Sequence, residues 1–331
     1  MTWWITYPAI LALLVVAELF YFRIADRFNI IDKPNLRSSH TRITLRGGGI
    51  IFPVGAWLYA AFFGLQYPWF MIGLTAICAV SFIDDVHSVP NVWRLIVQFV
   101  SMMLMFVDLG FISAELWWAV IPALIVCVGI INAYNFMDGI NGITGAYSLA
   151  VLIPVAVLNH RLQFIDPAFL YVAGLATLVF CFFNFRKRAK CFAGDVGSVG
   201  IAFIVLFALG RLIAATGDLQ YLLLLGIYGI DTVLTIIHRI MLHEKLGQAH
   251  RKHAYQIMAN ELHIPHTAVS ALYFVLQLAV SAGLIALPAH LQWPYTIAVL
   301  VVLALAYLLF MCRYYHLHEE YLAAKETAIK S

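Results

Sequence analysis

Two adjacent carboxylates, Asp84 and Asp85, stand at the end of an apolar stretch of the chain. Paired acids at a helix end are often merely solvated, so the pair alone decides little. Beside a divalent cation, however, two carboxylates can hold the ion and accept a proton, because Mg²⁺ prefers one or two carboxylates together with phosphate oxygens. The pair is a candidate catalytic element if other polar motifs join it.

A second motif is rich in side-chain amides. Asn132, Asn135, Asp138 and Asn141 follow one another at three-residue spacing. A solvated loop seldom needs so many amides between Ile, Phe and Met. We therefore interpret this segment as a binding surface in which Asp138 supplies a negative charge.

A third motif, Gly194-Asp195-Val196-Gly197-Ser198, opens an apolar stretch. The first backbone N–H groups of a helix favour an anion, although an ordinary N-cap by Asp195 or Ser198 would explain the same residues. The segment is no phosphate-binding P-loop, because no Gly-Lys-Ser/Thr follows. Phe192, three residues before Asp195, could stack on a base, whereas a lone aromatic side chain is more often packing.

The fourth motif is His250-Arg251-Lys252-His253, which brings several hydrogen-bond donors to one short loop. Such donors suit phosphate recognition. A basic loop beside a membrane, serving topology and anionic lipid, is the alternative. A transition-metal site is disfavoured, because no thiol or carboxylate stands at ligand spacing.

Two further features lie outside these motifs. Asp231 falls inside an apolar stretch, where a carboxylate is costly and usually paired or functional. Gly47-Gly48-Gly49 could permit either close helix packing or close approach of the backbone to a ligand.

The elements that must position these residues are membrane helices. Of 331 residues, 63% are hydrophobic and 11% are charged, whereas soluble domains are about a quarter charged. A soluble fold is therefore excluded, and the five unpaired cysteines make a disulfide scaffold improbable. We predict an all-α bundle of about eleven membrane-spanning helices, at roughly residues 3–22, 48–66, 68–83, 92–110, 117–134, 143–158, 167–185, 197–213, 219–240, 267–288 and 293–312.

The basic residues predict how the bundle is oriented. With these spans, eighteen of the twenty Lys and Arg residues fall on one side, and only Arg161 and Arg211 fall on the other. Cytoplasmic loops carry the excess of basic residues, so the N-terminus is expected outside and the C-terminus inside. All four motifs then face the cytoplasm, as expected of one active site at the membrane border. We expect a single membrane-embedded domain, residues 1–312, and a cytoplasmic tail, residues 313–331.

Together the four motifs resemble those of the polyprenyl-phosphate N-acetylhexosamine-1-phosphate transferases, a glycosyltransferase family 4 type. The resemblance covers about residues 30–260. Within the family, the run from Asp32 to Thr41, the segment Arg46-Gly47-Gly48-Gly49 and the loop from His250 to Gln256 look like the branch that initiates O-antigen and capsule synthesis. The peptidoglycan branch has consecutive histidines in that last loop, and this chain does not.

The resemblance implies a reaction and a location. Such enzymes transfer a sugar-1-phosphate from a UDP-sugar to undecaprenyl phosphate in the bacterial cytoplasmic membrane, releasing UMP. They need Mg²⁺, for which Mn²⁺ could substitute. UDP-GlcNAc is the expected donor, with UDP-FucNAc or UDP-QuiNAc as alternatives, and lipid-facing surfaces could support a homodimer.

By the same resemblance, Asp195 would be the metal ligand. Asp84 and Asp85 would lie beside the lipid phosphate, and one of them would accept its proton. Asp138 would be the third catalytic carboxylate, lining the nucleotide and diphosphate site with Asn135.

The resemblance also implies substrate-binding residues. Phe192 would stack on uracil, with Asn141 nearby, although many relatives have Asp at the position of Asn141. Lys33 would stand near the incoming phosphate. The remaining candidates for contacts with the donor are Asn132, His250, Arg251 and His253.

Two other classes of membrane protein compete with this interpretation. A secondary transporter would bind substrate near the midplane on broken helices in related repeats, whereas these acids sit at the border and no internal repeat is evident. An intramembrane aspartyl protease would need Gly at position 192, where Phe stands, and a Tyr-Asp pair inside a span, which this chain lacks.

Overall fold

The computed structural model describes residues 3–34, 39, 42–112, 117–245 and 250–330. The fold is all-α, as predicted. Twelve α-helices are found in these ranges: α1 (Trp3–Arg27), α2 (Ile51–Phe63), α3 (Pro68–Val86), α4 (Asn91–Leu109), α5 (Trp117–Met137), α6 (Ile143–Leu162), α7 (Pro167–Asn184), α8 (Gly194–Thr216), α9 (Gly226–Met241), α10 (Ala254–Asn260), α11 (His266–Ala286) and α12 (Ala289–Lys330). Short 3-10 helices, Gly48–Ile50 and Leu219–Leu225, precede α2 and α9.

Ten helical segments of the described chain are long and apolar enough to cross a membrane, and Gly48–Phe63 is a shorter apolar helix. These eleven segments match the predicted spans in number and order. Several helices extend past the predicted ends. Asp84 and Asp85 thus lie in the last turn of α3, and Asn132 and Asn135 lie in α5 instead of in a loop.

Helix α8 is the centre of the bundle. It packs against α3, α5 and α6, and nearly all of its side chains from Val196 to Leu209 are buried. A helix that is apolar on every side is typical of a protein core or of a membrane span, and here neighbouring helices cover it. Because α8 begins at Gly194, its first turn carries Asp195 at a position fixed by the bundle core.

A small antiparallel ladder, which the sequence analysis did not predict, holds the segment before α2. Strands β1 (Ile31–Asp32) and β2 (Thr44–Leu45) pair Ile31 with Leu45. Leu45 also forms a bridge with Cys191, and the Phe192 N–H donates to the Leu45 carbonyl at 2.8 Å. The ladder therefore fixes Arg46 beside the start of α8. Of the predicted motif 32–41, residues 35–38, 40 and 41 lie outside the described residues.

The three-glycine segment packs against α8. The Gly49 N–H donates to the Ala193 carbonyl at 3.1 Å. A Cβ atom on Gly197 would lie 2.6 Å from the Gly49 Cα atom, which is closer than real Cβ contacts come. Of the two interpretations left open by the sequence, the structure therefore favours close packing at Gly49.

The two ends of the bundle differ in their polar groups. Arg46, Asp85 and Asp195 meet at one end. At the other end, the Tyr59 hydroxyl and the Gln66 amide each donate to Asp166 at 2.8 Å. The segment from Gly48 to Gln66 therefore connects the two ends, even though its α-helix is short.

Candidate active site

Three carboxylates and two guanidinium groups form a cluster at the first end of the bundle. Arg46 contacts Asp85 at 2.6 Å and Asp195 at 3.4 Å. Arg94 contacts Asp195 and Asp84, each at 2.8 Å. We call these five residues the acid–arginine cluster. Because each arginine bridges two carboxylates, the cluster keeps three negative charges close together in a partly buried place.

Asp85 anchors the cluster to helix α8. Its side chain is fully buried, and it accepts the backbone N–H groups of Asp195 at 2.8 Å and Val196 at 3.0 Å. The predicted anion at this helix N-terminus is thus the protein's own carboxylate. Asp84 is more open: it accepts the Val89 N–H at 2.7 Å and pairs with Arg94.

Asp138 lies just beyond the end of α5 and accepts a hydrogen bond from the Thr144 hydroxyl at 2.6 Å. Burial raises the pKa of Asp138 to about 7. The Thr144 hydrogen bond lowers this pKa, and the nearby carboxylates of Asp195 and Asp85 raise it. Such a perturbed acid in a cleft is typical of a functional site. A cation or a cationic substrate group would favour its ionised form.

Two adjoining cavities open around Asp138. The smaller has a volume of about 290 Å³ and the larger about 470 Å³. Both are lined by Asn135, Asp138, Gly139 and Gln256. A reacting group held at this shared wall could contact ligands in both cavities.

The cavities divide most of the predicted site residues between them. The smaller cavity is lined by Asn141, Phe192 and Asp195, and by Arg46. The larger cavity is lined by Asn132, His250 and His253, among others, and by Arg94 of the acid–arginine cluster. Asp84 and Asp85 line neither of these two cavities. Asp85 contacts Arg46, which lines the smaller cavity, and Asp84 contacts Arg94, which lines the larger.

Besides Asp84 and Asp85, two predicted residues do not line these cavities. Lys33 is exposed beside Asp32 of β1. Arg251 pairs with Glu261 at 3.6 Å, and its guanidinium lies 5.0 Å from the centre of the Tyr321 ring in α12. The side chain of Arg251 therefore connects the loop to the last helix in this structure.

Asn141 holds the loop after α7. Its side-chain amide donates to the Arg186 carbonyl at 2.9 Å, and its backbone N–H donates to the His266 ring at 3.4 Å.

The pKa of His250 is lowered to about 3, first by burial and then by the charge of His253. Its imidazole is therefore neutral at pH 7 before a ligand binds.

Among the residues that line the cavities, sequence reasoning did not assign Arg46, Arg94, Gln256 or His266 to the site. The arginines had a signal, since a cluster of buried acids requires nearby cations. Neither their partners nor the positions of Gln256 and His266 could be read from spacing, because the contacts join distant parts of the chain.

The residues at this site suit a magnesium ion whose remaining coordination positions are filled by substrate phosphate oxygens. The described residues contain no group of three or more His, Cys, Asp or Glu arranged to hold a metal ion. The smaller cavity nevertheless offers oxygen donors from Asp195, Asp138 and Asn135. Mg²⁺ is usually bound by one or two carboxylates, with phosphate and water oxygens in the remaining positions.

The middle of the chain matches a known protein family. Residues 67–212 match the family model described as glycosyl transferase family 4. The chain is similar to this family over that segment, which is less than half of its length. The match begins just before α3 and ends in α8, so it includes Asp84, Asp85, Asp138 and Asp195.

Similar individual proteins are named as N-acetylglucosaminyl 1-phosphate transferases or as a phospho-N-acetylmuramoyl-pentapeptide-transferase. The chain is 26% identical over 255 residues to the probable undecaprenyl-phosphate N-acetylglucosaminyl 1-phosphate transferase of Bacillus subtilis, covering 70% of each chain. It is 26% identical to the undecaprenyl-phosphate alpha-N-acetylglucosaminyl 1-phosphate transferase of Yersinia pestis, covering 56% of each chain. With the phospho-N-acetylmuramoyl-pentapeptide-transferase of Thermotoga petrophila it shares 26% identity over 58% of this chain and 67% of the relative.

Proposed function

We propose that this membrane transferase moves N-acetylhexosamine-1-phosphate, in the first instance GlcNAc-1-phosphate, from a UDP-sugar to undecaprenyl phosphate and releases UMP. The observation that carries the proposal is the acid–arginine cluster beside the shared wall of two cavities, in a chain similar to this family. Phosphoryl transfer asks mainly for positioning and charge neutralisation. The product would initiate a lipid-linked glycan such as O-antigen or capsule.

The smaller cavity suits the donor. Phe192 offers a ring for the uracil base, while Asp195 and Asp138 stand where a metal-bound diphosphate would lie. The resident ion in this proposal is Mg²⁺, held by Asp195, and it would neutralise the diphosphate charge and favour the departure of UMP.

The larger cavity suits the acceptor. Arg94 supplies a guanidinium for the lipid phosphate, and Asn91 and Leu95 continue the wall along α4. Val92 and Trp93, on the same helix, are exposed apolar side chains. A polyprenyl chain could therefore remain in the hydrocarbon layer while its phosphate enters the cavity.

The proposed reaction is a direct displacement. An oxygen of the lipid phosphate forms a bond to the sugar-bearing phosphorus, and the bond from that phosphorus to the bridging oxygen breaks, so that UMP leaves with the electron pair. Asp84 is better placed than Asp85 to accept a proton from the lipid phosphate, because Asp85 is held by two backbone amides and Arg46.

A covalent phospho-aspartyl intermediate at Asp138 or Asp84 is the alternative. Asp138 accepts the Thr144 hydroxyl, and Asp84 is paired with Arg94. Both contacts reduce nucleophilicity, which supports direct displacement. A burst of UMP from enzyme that lacks lipid acceptor would instead support the covalent route.

The test is an assay of purified detergent-solubilised protein with undecaprenyl phosphate, Mg²⁺ and a panel of UDP-GlcNAc, UDP-FucNAc and UDP-QuiNAc. UMP release and the lipid product are followed together. We expect one donor to yield a lipid-diphosphate sugar, with loss of product on adding EDTA. Folded protein that makes no product with any donor would contradict the proposal.

A further inference from the structure

Asp231 lies in α9, where its side chain is buried. Its carboxylate accepts the Tyr273 hydroxyl at 2.6 Å, from α11. It also accepts the backbone N–H of Ala254 at 3.0 Å, at the start of α10. A buried carboxylate is stable only when such donors compensate its charge. The carboxylate thus ties α10 to α9 and α11.

The same carboxylate contacts an imidazole at the candidate active site. His253 Nδ1 lies 3.3 Å from Asp231 Oδ1. Because an ionised carboxylate is only an acceptor, Nδ1 is the nitrogen that carries the proton in this hydrogen bond. The other nitrogen, Nε2, is buried and has no hydrogen-bond partner in the part of the chain that the structure describes. His253 is also among the residues that line the larger cavity.

A second contact fixes the same short helix against the catalytic loop. The Tyr255 hydroxyl donates to the Phe136 carbonyl at 2.8 Å, two residues before Asp138. Gly139 leaves room for this hydroxyl, since a Cβ atom on Gly139 would overlap it. The distance between His253 and Asp138 is therefore set by contacts on both sides of α10.

We propose that Asp231 is the positioning residue for His253: it binds Nδ1 and so presents Nε2 to the phosphate groups of the substrates. The inference rests on the proposed function for the identity of those substrates. The carboxylate plays the part that an aspartate plays beside a catalytic histidine, by fixing the orientation and the tautomer of the ring. Asp231 itself contacts no substrate.

The kinetic test is a double-mutant cycle with Asp231→Asn and His253→Ala. Asn keeps the shape of Asp231 but cannot accept every donor that converges on it. We expect Asp231→Asn to lower kcat/KM for the UDP-sugar by about 10–100-fold, as removal of such outer partners does. The double variant should be within about threefold of His253→Ala alone, because one chain of contacts is broken in both. Multiplying losses would overturn the inference.

A pair of tyrosine variants guards against a folding defect in Asp231→Asn. Tyr273→Phe removes one hydrogen bond from Asp231, whereas Tyr59→Phe removes an equivalent hydrogen bond from Asp166 at the other end of the bundle. We expect Tyr273→Phe alone to lower kcat/KM and Tyr59→Phe to leave it unchanged. Equal kinetics for the two variants would contradict the positioning role.

A spectroscopic measurement separates this inference from the proposed reaction. In protein labelled with ¹⁵N-histidine, the His253 signals are assigned from their loss in His253→Gln. We expect a proton on Nδ1 in the unmodified protein and displaced His253 signals in Asp231→Asn. Unchanged signals would overturn the inference even if the enzyme is active, and displaced signals would support the contact even if every UDP-sugar fails as a donor.

Discussion

Asp195 carries the charge that joins the two arginines of the acid–arginine cluster. We expect Asp195→Asn to lower the transfer rate by at least about a hundredfold, the scale for a lost electrostatic group in an active site. The protein should still fold, because Arg46 and Arg94 keep their contacts with Asp85 and Asp84. The measurement is lipid-product formation at saturating Mg²⁺, with thermal unfolding as the check on folding.

The matched control is Asp218→Asn, an acid that follows the other end of the same helix, α8. Its rate should stay within about twofold of the unmodified enzyme, since surface changes away from a site have little effect. An active Asp195→Asn would remove Asp195 from the metal site.

The raised pKa of Asp138 predicts a pH dependence of stability. Burial moves this pKa from its ordinary value near 4 to about 7. Between these values the folded protein holds a proton that the unfolded chain has released, so the free energy of unfolding falls as pH rises from about 4 to about 7. Asn at position 138 does not titrate, so the free energy of unfolding of Asp138→Asn should exceed that of the unmodified protein by a margin that grows over this pH range. Thermal unfolding of both proteins at several pH values measures the margin, and a constant difference would contradict the prediction.

The sequence identified individual residues better than their partners. Asp138, Asn135 and Asp195 line the cavities, as expected of residues whose polarity contradicts their apolar surroundings. The sequence did not predict the arginines that pair with these acids, because Arg46 and Asp195 are 149 positions apart and only the fold brings them together. Arg251 was predicted to bind the donor because it lies in the basic loop. Residue spacing could not show that it pairs with Glu261 instead.

At the scale of elements, apolar length predicted the helices well and missed the short pieces that place the site. The ladder of β1 and β2 has only two residues in each strand, too few for a periodic signal. The 3-10 helix Gly48–Ile50 was merged with the following span. Both are stabilised by contacts with the start of α8, which are invisible in the local sequence.

The contact between the 3-10 helix and α8 can be tested with one methyl group. In Gly197→Ala the new Cβ atom would meet the Gly49 Cα atom at 2.6 Å, so the two backbones must separate. We expect a loss of about 1–3 kcal/mol in the free energy of unfolding, which is typical of overpacking, and reduced activity because Asp195 shifts with the helix. Gly174→Ala is the control, since nothing lies within 4 Å of its Cβ position. Equal stability of the two variants would refute close packing here.

At the scale of the whole molecule, the short helix α2 decides how the bundle is threaded. Its 13 residues rise about 20 Å and the preceding 3-10 turn adds about 6 Å, close to the roughly 30 Å of a bilayer core. Gly49 lies against Gly197 at the site end, and Gln66 donates to Asp166 at the other end. When this segment is counted as a span, the loops rich in Lys and Arg all fall on the same side of the membrane.

The orientation of the bundle in the membrane follows from that count, and it can be measured in the full chain. Gln163 and Arg188 are exposed residues that follow α6 and α7, which run in opposite directions between the two ends. In a background with Cys312→Ser, we expect Gln163→Cys to react with a membrane-impermeant maleimide in intact cells and Arg188→Cys to react only after the cells are opened. This outcome follows from the excess of basic residues on the side that holds the acid–arginine cluster, where both a nucleotide sugar and Mg²⁺ would reach the site from the cytoplasm. The reverse pattern would place the site outside the cell and leave the proposed donor without access to it.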